Sequence, residues 1–274
     1  LEVIGDVAFG AGRDQLGDAD RVRMGQTLEG FVGSDLGCQG FEPLETEITD
    51  HAPSLTHNLA RMPTNADELR HLDAAVEAWW WWAWNRDATV GLFVGFELRG
   101  LRFDYWAGLA RVGEPYLYVE ELDGTGLRQG LEIKPPEMWA DQTCEVPYRQ
   151  WNLGNEAHAV LLDDPMDAMQ RPFGALTTVA FDIEWYASGE PASIANGYEQ
   201  AGEVNAVIEL GASGLAFEGP AHRVHVWGAP HVPPPHAVNS APGRLVAPYR
   251  RRDGTGGVQV LTEQGWQART VEAP

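Results

Sequence analysis

Positive charge is scarce in this chain: 19 lysines and arginines face 40 aspartates and glutamates, a formal net charge of -21. That balance argues against a nucleic-acid partner, which needs clustered cations over an extended face. One basic cluster stands out, Arg250, Arg251 and Arg252, and a run that short reads as a solvated strand end or turn. Long hydrophobic runs are missing too, with none near the ~18 residues that cross a bilayer. The opening "LEVIGDVAFGAGRD" lacks a cationic start followed by a long apolar stretch, so the expectation is a soluble, cytoplasmic protein. Cysteine is limited to Cys38 and Cys144; a lone pair says little about compartment in a chain too large to need a staple. No Gly-x-Ser-x-Gly, P-loop or dinucleotide fingerprint occurs, which removes the commonest hydrolase and nucleotide-binding readings.

What is abundant is tryptophan, eleven in 274 residues, five of them between Trp79 and Trp84. "TNADELRHLDAAVEAW" opens like a helix, with Thr64 or Asn65 as cap and acidic residues in the first turn. It cannot run far, because indoles suit a pleated strand better, and Ala78–Trp84 is assigned to a strand. Trp80, Trp82 and Trp84 then share one face and Trp79 and Trp81 the other. A strand apolar on both faces lies between two layers, or between a core and a cavity.

From there the chain reads as β. "TVGLFVGFELRGLRFDYWAGLARV" forms two strands joined near Arg99 and Gly100, and "WNLGNEAHAVLLDD", "ALTTVAFDIEWYAS", "GYEQAGEVNAVIELG" and "LAFEGPAHRVHVWG" continue the pattern. Strand after strand without long helices points to barrels or sandwiches. Period two puts Val179, Phe181, Ile183 and Trp185 inward, with Asp182 and Glu184 on a solvated face. Tyr198, Val204, Ala206, Ile208 and Leu210 likewise oppose Glu199, Glu203 and Glu209, unless a bulge at Gly202 reverses the upstream parity. The first sixty residues, rich in Gly, Asp and Pro, suggest loops. "DDPMDAMQRPFG", Asp163–Gly174, breaks the β pattern and divides the chain into candidate domains 1–164 and 165–274.

In "FEGPAHRVHVWG" one face carries Phe217, Ala221, Arg223, His225 and Trp227. A guanidinium and an imidazole among bulky apolar groups must find partners, either neighbours or a ligand. His222 and His225 face opposite ways, and His231 and His236 lie in a proline-rich segment without ligand spacing, so no metal is expected. His158, at the parity of Val160 and Leu162, reads as a core histidine. "APHVPPPHAVNSAPG", Ala229–Gly243, is too proline-rich for a central strand and reads as a surface loop or a lid over a barrel mouth.

"GYEQAGEVNAVIELG…GLAFEGPAHRVHVWG" resembles the second domain of the AttH/CrtC-like double-lipocalin superfamily, which includes a carotenoid hydratase and lipocalin-like pericyclases. The residues that carry the resemblance are Tyr198, Glu199, Arg223, His225, Trp227 and Gly228, together with the upstream run from Pro135 to Pro165 and the Glu77-plus-tryptophan run. Two positions depart from the pattern, Val224 and Val226, and after Gly228 the continuation differs. The resemblance implies two packed lipocalin-like barrels and a cofactor-independent reaction on a hydrophobic, unsaturated polyketide or isoprenoid intermediate: cyclisation, isomerisation or hydration. His225, Trp227 and Arg223 are then the candidates for chemistry, with Tyr198, Trp80, Trp82, Trp84, Trp185 and Phe217 shaping the substrate pocket. Acid catalysis beside indole faces suits such chemistry, since a carbocation is held by cation–π attraction. Two other classes compete: a carrier that buries a hydrophobe without changing it, and an interaction module whose aromatics are only core.

Overall fold

A computed structural model describes residues 63–228, 245–262 and 265–269, all within one compact unit. The first sixty residues, Cys38 and the Ala229–Gly243 segment with His231 and His236 lie outside the described residues. The described chain is almost entirely strand, with 3-10 turns at Asn65–Glu68 and Pro165–Met169. Its strands are β1 (Glu77–Trp84), β2 (Val90–Arg99), β3 (Arg102–Arg111), β4 (Tyr116–Gly124), β5 (Met138–Val146) and β6 (Gln150–Leu162). They continue with β7 (Ala175–Ala187), β8 (Ala192–Ile194), β9 (Gly197–Leu210), β10 (Ser213–Trp227), β11 (Leu245–Arg250), β12 (Gly256–Thr262) and β13 (Gly265–Arg269). The helix-like opening at Thr64 yields only a four-residue turn; the strand-forming tryptophans follow too soon for more.

Two-residue hairpins connect β2 to β3 and β9 to β10, and each is turned by a glycine in the left-handed region, Gly100 (φ 65°) and Gly211 (φ 57°), where a Cβ would be strained. The pairings order nine strands of a ten-stranded antiparallel sheet as β10-β1-β2-β3-β4-β6-β7-β9-β8, the tenth, β5, pairs β6 off this path, and β10 pairs β9 as well, so the sheet rolls into a ring. The ring is thinnest where β4 meets β6 over Tyr116–Tyr118, because the rest of that edge of β6 is taken by β5. The all-β, barrel-like architecture expected from the strand pattern is what the chain forms. Asp163–Gly174 joins β6 to β7, which are paired neighbours in this one sheet. Among the described residues, no helix is long and apolar enough to cross a membrane.

Outside the ring lies a second sheet, β11-β12-β13. Two cores result. Inside the ring, Trp79 and Trp81 pack with Phe96, Trp151, Phe181 and Trp185. On the outer surface, Trp80 and Trp82 pack with Trp106, Val224, Val226, Tyr249 and Trp266 beneath the small sheet. The tryptophan strand is therefore apolar on both faces because both are covered, the first of the two arrangements its composition allows. Val224 and Val226 sit on this outer face, which explains why apolar residues occupy those positions. Trp80 stacks on Trp106 at 5.3 Å, and its ring lies over Gly95, where a Cβ would come within 2.7 Å of it.

The basic cluster does fall at a strand end and its turn, but it is ion-paired rather than merely solvated. Arg250 binds Glu120 (2.5 Å) and the Gln170 carbonyl (2.6 Å), Arg252 binds Asp104 (2.8 Å) and Asp123 (2.5 Å), and Arg251 is buried. Each of the first two ties the small sheet to acidic residues of β3 and β4, a duty that charge count alone does not reveal. His158 is likewise corrected: it is exposed on β6, on the face opposite Ala157 and Ala159. On β7 and β9 the face assignments hold, with Asp182 and Glu184 exposed and Val179, Phe181, Ile183 and Trp185 buried. Gly202 forms no bulge; the β9–β10 register runs unbroken from Tyr198 to Leu210. Its role is spatial, since a Cβ there would stand 2.3 Å from the Trp185 ring.

Candidate functional site

The register of β1 with β10 places Trp79 opposite His225 and Trp81 opposite Arg223, and that of β9 with β10 places Tyr198 opposite His225 and Gln200 opposite Arg223. Period two then directs Arg223 and His225 into the ring, where both are essentially inaccessible (1% and 0% exposed). Two polar groups so buried need partners; the turn that precedes β1, the first residue of β1 and the facing strand β9 supply them.

Arg223 meets Glu68 through both terminal nitrogens, Nη2 to Oε1 at 2.5 Å and Nη1 to Oε2 at 3.0 Å. Nε and Nη2 also donate to Gln200 Oε1 (3.2 and 2.7 Å), and Nη1 donates to the Tyr198 hydroxyl at 3.0 Å. A guanidinium has five N–H donors, and these contacts engage them all. Glu68 accepts further bonds from the Tyr148 N–H and the Tyr198 hydroxyl, each at 2.6 Å. Burial alone would raise the Glu68 carboxyl, but the bonds and charge of Arg223, with Tyr198 and Tyr148, outweigh it and hold the group below its ordinary value. Trp185 underlies the guanidinium at 4.8 Å, the position that Gly202 leaves open. Arg223 is thus a saturated framework element rather than a free donor, and the catalytic duty expected of it is not what its contacts provide for.

His225 is held differently. Its Nε2 lies 2.9 Å from Glu77 Oε1, its ring stacks on Trp79 at 4.5 Å, and Tyr198 meets it edge-on at 5.5 Å. Nδ1 is buried and finds no partner among the described residues. Burial outweighs the Glu77 carboxylate and lowers the affinity of the ring for a second proton, so His225 is neutral in the fold. The carboxylate accepts from Nε2–H, and Nδ1 is left with its lone pair. Glu77 accepts in addition from His71, from the backbone N–H at 3.0 Å to Oε1 and 2.9 Å to Oε2, and has Nδ1 at 2.8 Å. His71 stacks on Trp227 at 4.0 Å, and these two half-buried rings cover the Glu77–His225 pair on the solvent side.

The expected site residues therefore divide. Tyr198, Arg223, His225 and Trp227 come together, and Trp185 joins them beneath Arg223. Phe217 is half-buried against the ring interior at the far end of β10. Trp80 and Trp82 lie on the opposite surface of the sheet, and Trp84 packs there too, so these three do not share a pocket with His225; Trp79 and Trp81 do face its side. His222 turns outward, 3.3 Å from Glu199, away from His225 as the strand period requires. Cys144 is half-buried, and burial pushes its thiol up to about 12, which keeps it from acting as a nucleophile.

Five residues of the site were not singled out by pattern: Glu68, His71, Glu77, Gln200 and Tyr148. Gln200 shares the parity of Tyr198 and was legible in principle. Glu68 ends the 3-10 turn, His71 follows it in irregular chain and Glu77 opens β1, positions where no period marks a face. The ring interior adds one further feature. Trp79, Trp81, Trp151 and Trp185 all have buried indole N–H groups without an acceptor among the described residues. A hollow beside Trp81, Leu153 and Trp185 has room for about one water molecule. The chain matches no family model, no curated protein and no solved structure.

Proposed function

We propose that this chain is an enzyme that moves a proton on a hydrophobic, unsaturated substrate of the polyketide or isoprenoid kind, leading to cyclisation, isomerisation or hydration, with His225 as the group that takes and returns the proton. One observation carries the reading: a buried histidine oriented by a carboxylate through one ring nitrogen, with the other nitrogen unpartnered. That is the carboxylate–histidine logic of acid–base catalysis, in which the carboxylate fixes the tautomer and steadies the imidazolium that forms. The Trp79 face against the ring stabilises the cationic state by cation–π attraction. Unpaired indole N–H groups supply donors for an oxygen that gains charge. The sequence resemblance to the carotenoid-hydratase superfamily points the same way, through Arg223, His225 and Trp227.

A carrier for a large hydrophobe would need an enclosed space on the order of 300–1,000 Å³, whereas the hollow beside Trp81, Leu153 and Trp185 has room for about one water molecule. Trp227 in this reading is a cover over the pair rather than a donor, and Arg223 is a positioning residue that sets Tyr198 and β10. The test is incubation of the protein, and of His225→Gln and Glu77→Gln, with an organic extract of the cells that make it, followed by mass analysis. A metabolite converted to an isomer, or to a product heavier by water, by the native protein and by the exposed-site control His158→Gln alone supports the reading. A metabolite retained unchanged by all of them makes the chain a carrier, and no metabolite engaged leaves it an interaction module.

A further inference from the structure

We infer that His71, Glu77 and His225 form a binding site for a divalent transition metal of the zinc class. Their donor atoms, His71 Nδ1, Glu77 Oε1 and His225 Nε2, all lie within 4.8 Å of one another, and Oε1 stands 2.8 and 2.9 Å from the two nitrogens. Donors about 2.0–2.2 Å from a tetrahedral zinc ion are separated by about 3.4 Å, so each nitrogen need move only about half an ångström from Oε1 for the three atoms to share an ion. The donor set is the one such ions prefer, two neutral imidazoles and a carboxylate, with a fourth position left for water or substrate.

Charge supports the same conclusion. Glu77 is buried, and no lysine or arginine contacts its carboxylate among the described residues. A buried carboxylate without a permanent cation calls for a proton or a metal beside it. The set is also braced. The His71 backbone N–H binds both Glu77 oxygens, and Trp227 stacks on the His71 ring. His71 is 20% exposed, which gives an ion a way in. His158, exposed on β6, has no such company.

The site coincides with the proposed proton-transfer pair, and in that respect the inference rests on the reading above. An ion on Nε2 takes the lone pair of that nitrogen, so the single proton of the neutral ring moves from Nε2 to Nδ1. The occupied form has an N–H where the free form has a lone pair, so metal binding silences the base.

The test uses the full chain, stripped with chelator and titrated with Co²⁺ and Zn²⁺ in excess Mg²⁺ to cover its acidic surface. One equivalent of Co²⁺ with a visible d–d absorption band, displaced by Zn²⁺, is expected. His71→Ala, chosen because its side chain is partly exposed and folding can be checked by circular dichroism, should abolish the band. Glu77→Gln should weaken binding at least about 100-fold, beyond what outer-shell changes cost, and His158→Ala should leave it unchanged. No stoichiometric binding, or binding indifferent to His71→Ala, overturns the inference. Binding with no converted metabolite would sink the enzyme reading alone, and conversion without binding would sink the metal site alone.

Discussion

Removing Arg223 tests the buried network that frames the site. In Arg223→Met the apolar stem is retained and the guanidinium lost, so Glu68 keeps two of its four bonds, from Tyr148 and Tyr198, and loses its cation inside the ring. Breaking a buried pair from one side costs about 3–5 kcal/mol, because the remaining charge is uncompensated. With a urea dependence of ~2–3 kcal/mol/M, the unfolding midpoint should fall by on the order of 1–2 M. Tryptophan fluorescence reads this well, since Trp185 lies 4.8 Å beneath the guanidinium and Trp151 5.6 Å from it. The double variant Glu68→Gln/Arg223→Met removes the stranded charge and should recover a large part of the loss, with a coupling of about 2 kcal/mol or more. A loss under about 1 kcal/mol for Arg223→Met, the range of exposed ion pairs, would refute the reasoning and mean that water reaches the pair.

Three other outcomes follow from the packing and the charges. Trp80→Ala should cost about 3–5 kcal/mol in chemical denaturation, while Zn²⁺ titration of the still-folded fraction is unchanged, because that side chain lies under the small sheet and not beside His225; a changed affinity would contradict the assignment of faces. Gly202→Ala should destabilise by about 1–3 kcal/mol through overpacking against Trp185, and a neutral result would show that the indole has room to move. Acid should also act through Glu68: its folded carboxyl is held below the ordinary value of 4.5, so its stabilisation is complete above that value and fades as pH falls through the lower folded one. Urea curves below pH 4.5 should show this fading in the native protein and a reduced slope in Arg223→Met.

How far the sequence led depended on period. The strands with clean alternation, β7 and β9, showed their inner and outer residues directly, while the doubled apolarity of Ala78–Trp84 left two covering layers and a core with a cavity equally open, and the pocket role expected of Trp80, Trp82 and Trp84 followed from the second. Which indole face belonged to which layer was not legible, because both are equally apolar; the register with β10 decides it, by placing Trp79 beside His225. The Arg250–Arg252 run misled because a short charge cluster carries no mark of its partners, which come from β3 and β4 more than 120 residues away in sequence. Arg223 and His225 were visible as polar residues on an apolar face. Their partners Glu68 and Glu77 were not, since Glu68 closes a short 3-10 turn and Glu77 is the first residue of β1, positions where neither period nor motif marks a role, and only the folded geometry brings them to β10.

The central claim is that Glu77 fixes His225 in the Nε2–H form and leaves Nδ1 as a buried acceptor. Long-range ¹H–¹⁵N correlation spectra of the metal-free protein at neutral pH, with His225→Gln to assign the ring, measure this directly. The account predicts an unprotonated Nδ1 and a protonated Nε2 for His225, with that tautomer preference lost in Glu77→Gln. An Nδ1–H tautomer or an imidazolium at neutral pH in the native protein would contradict it.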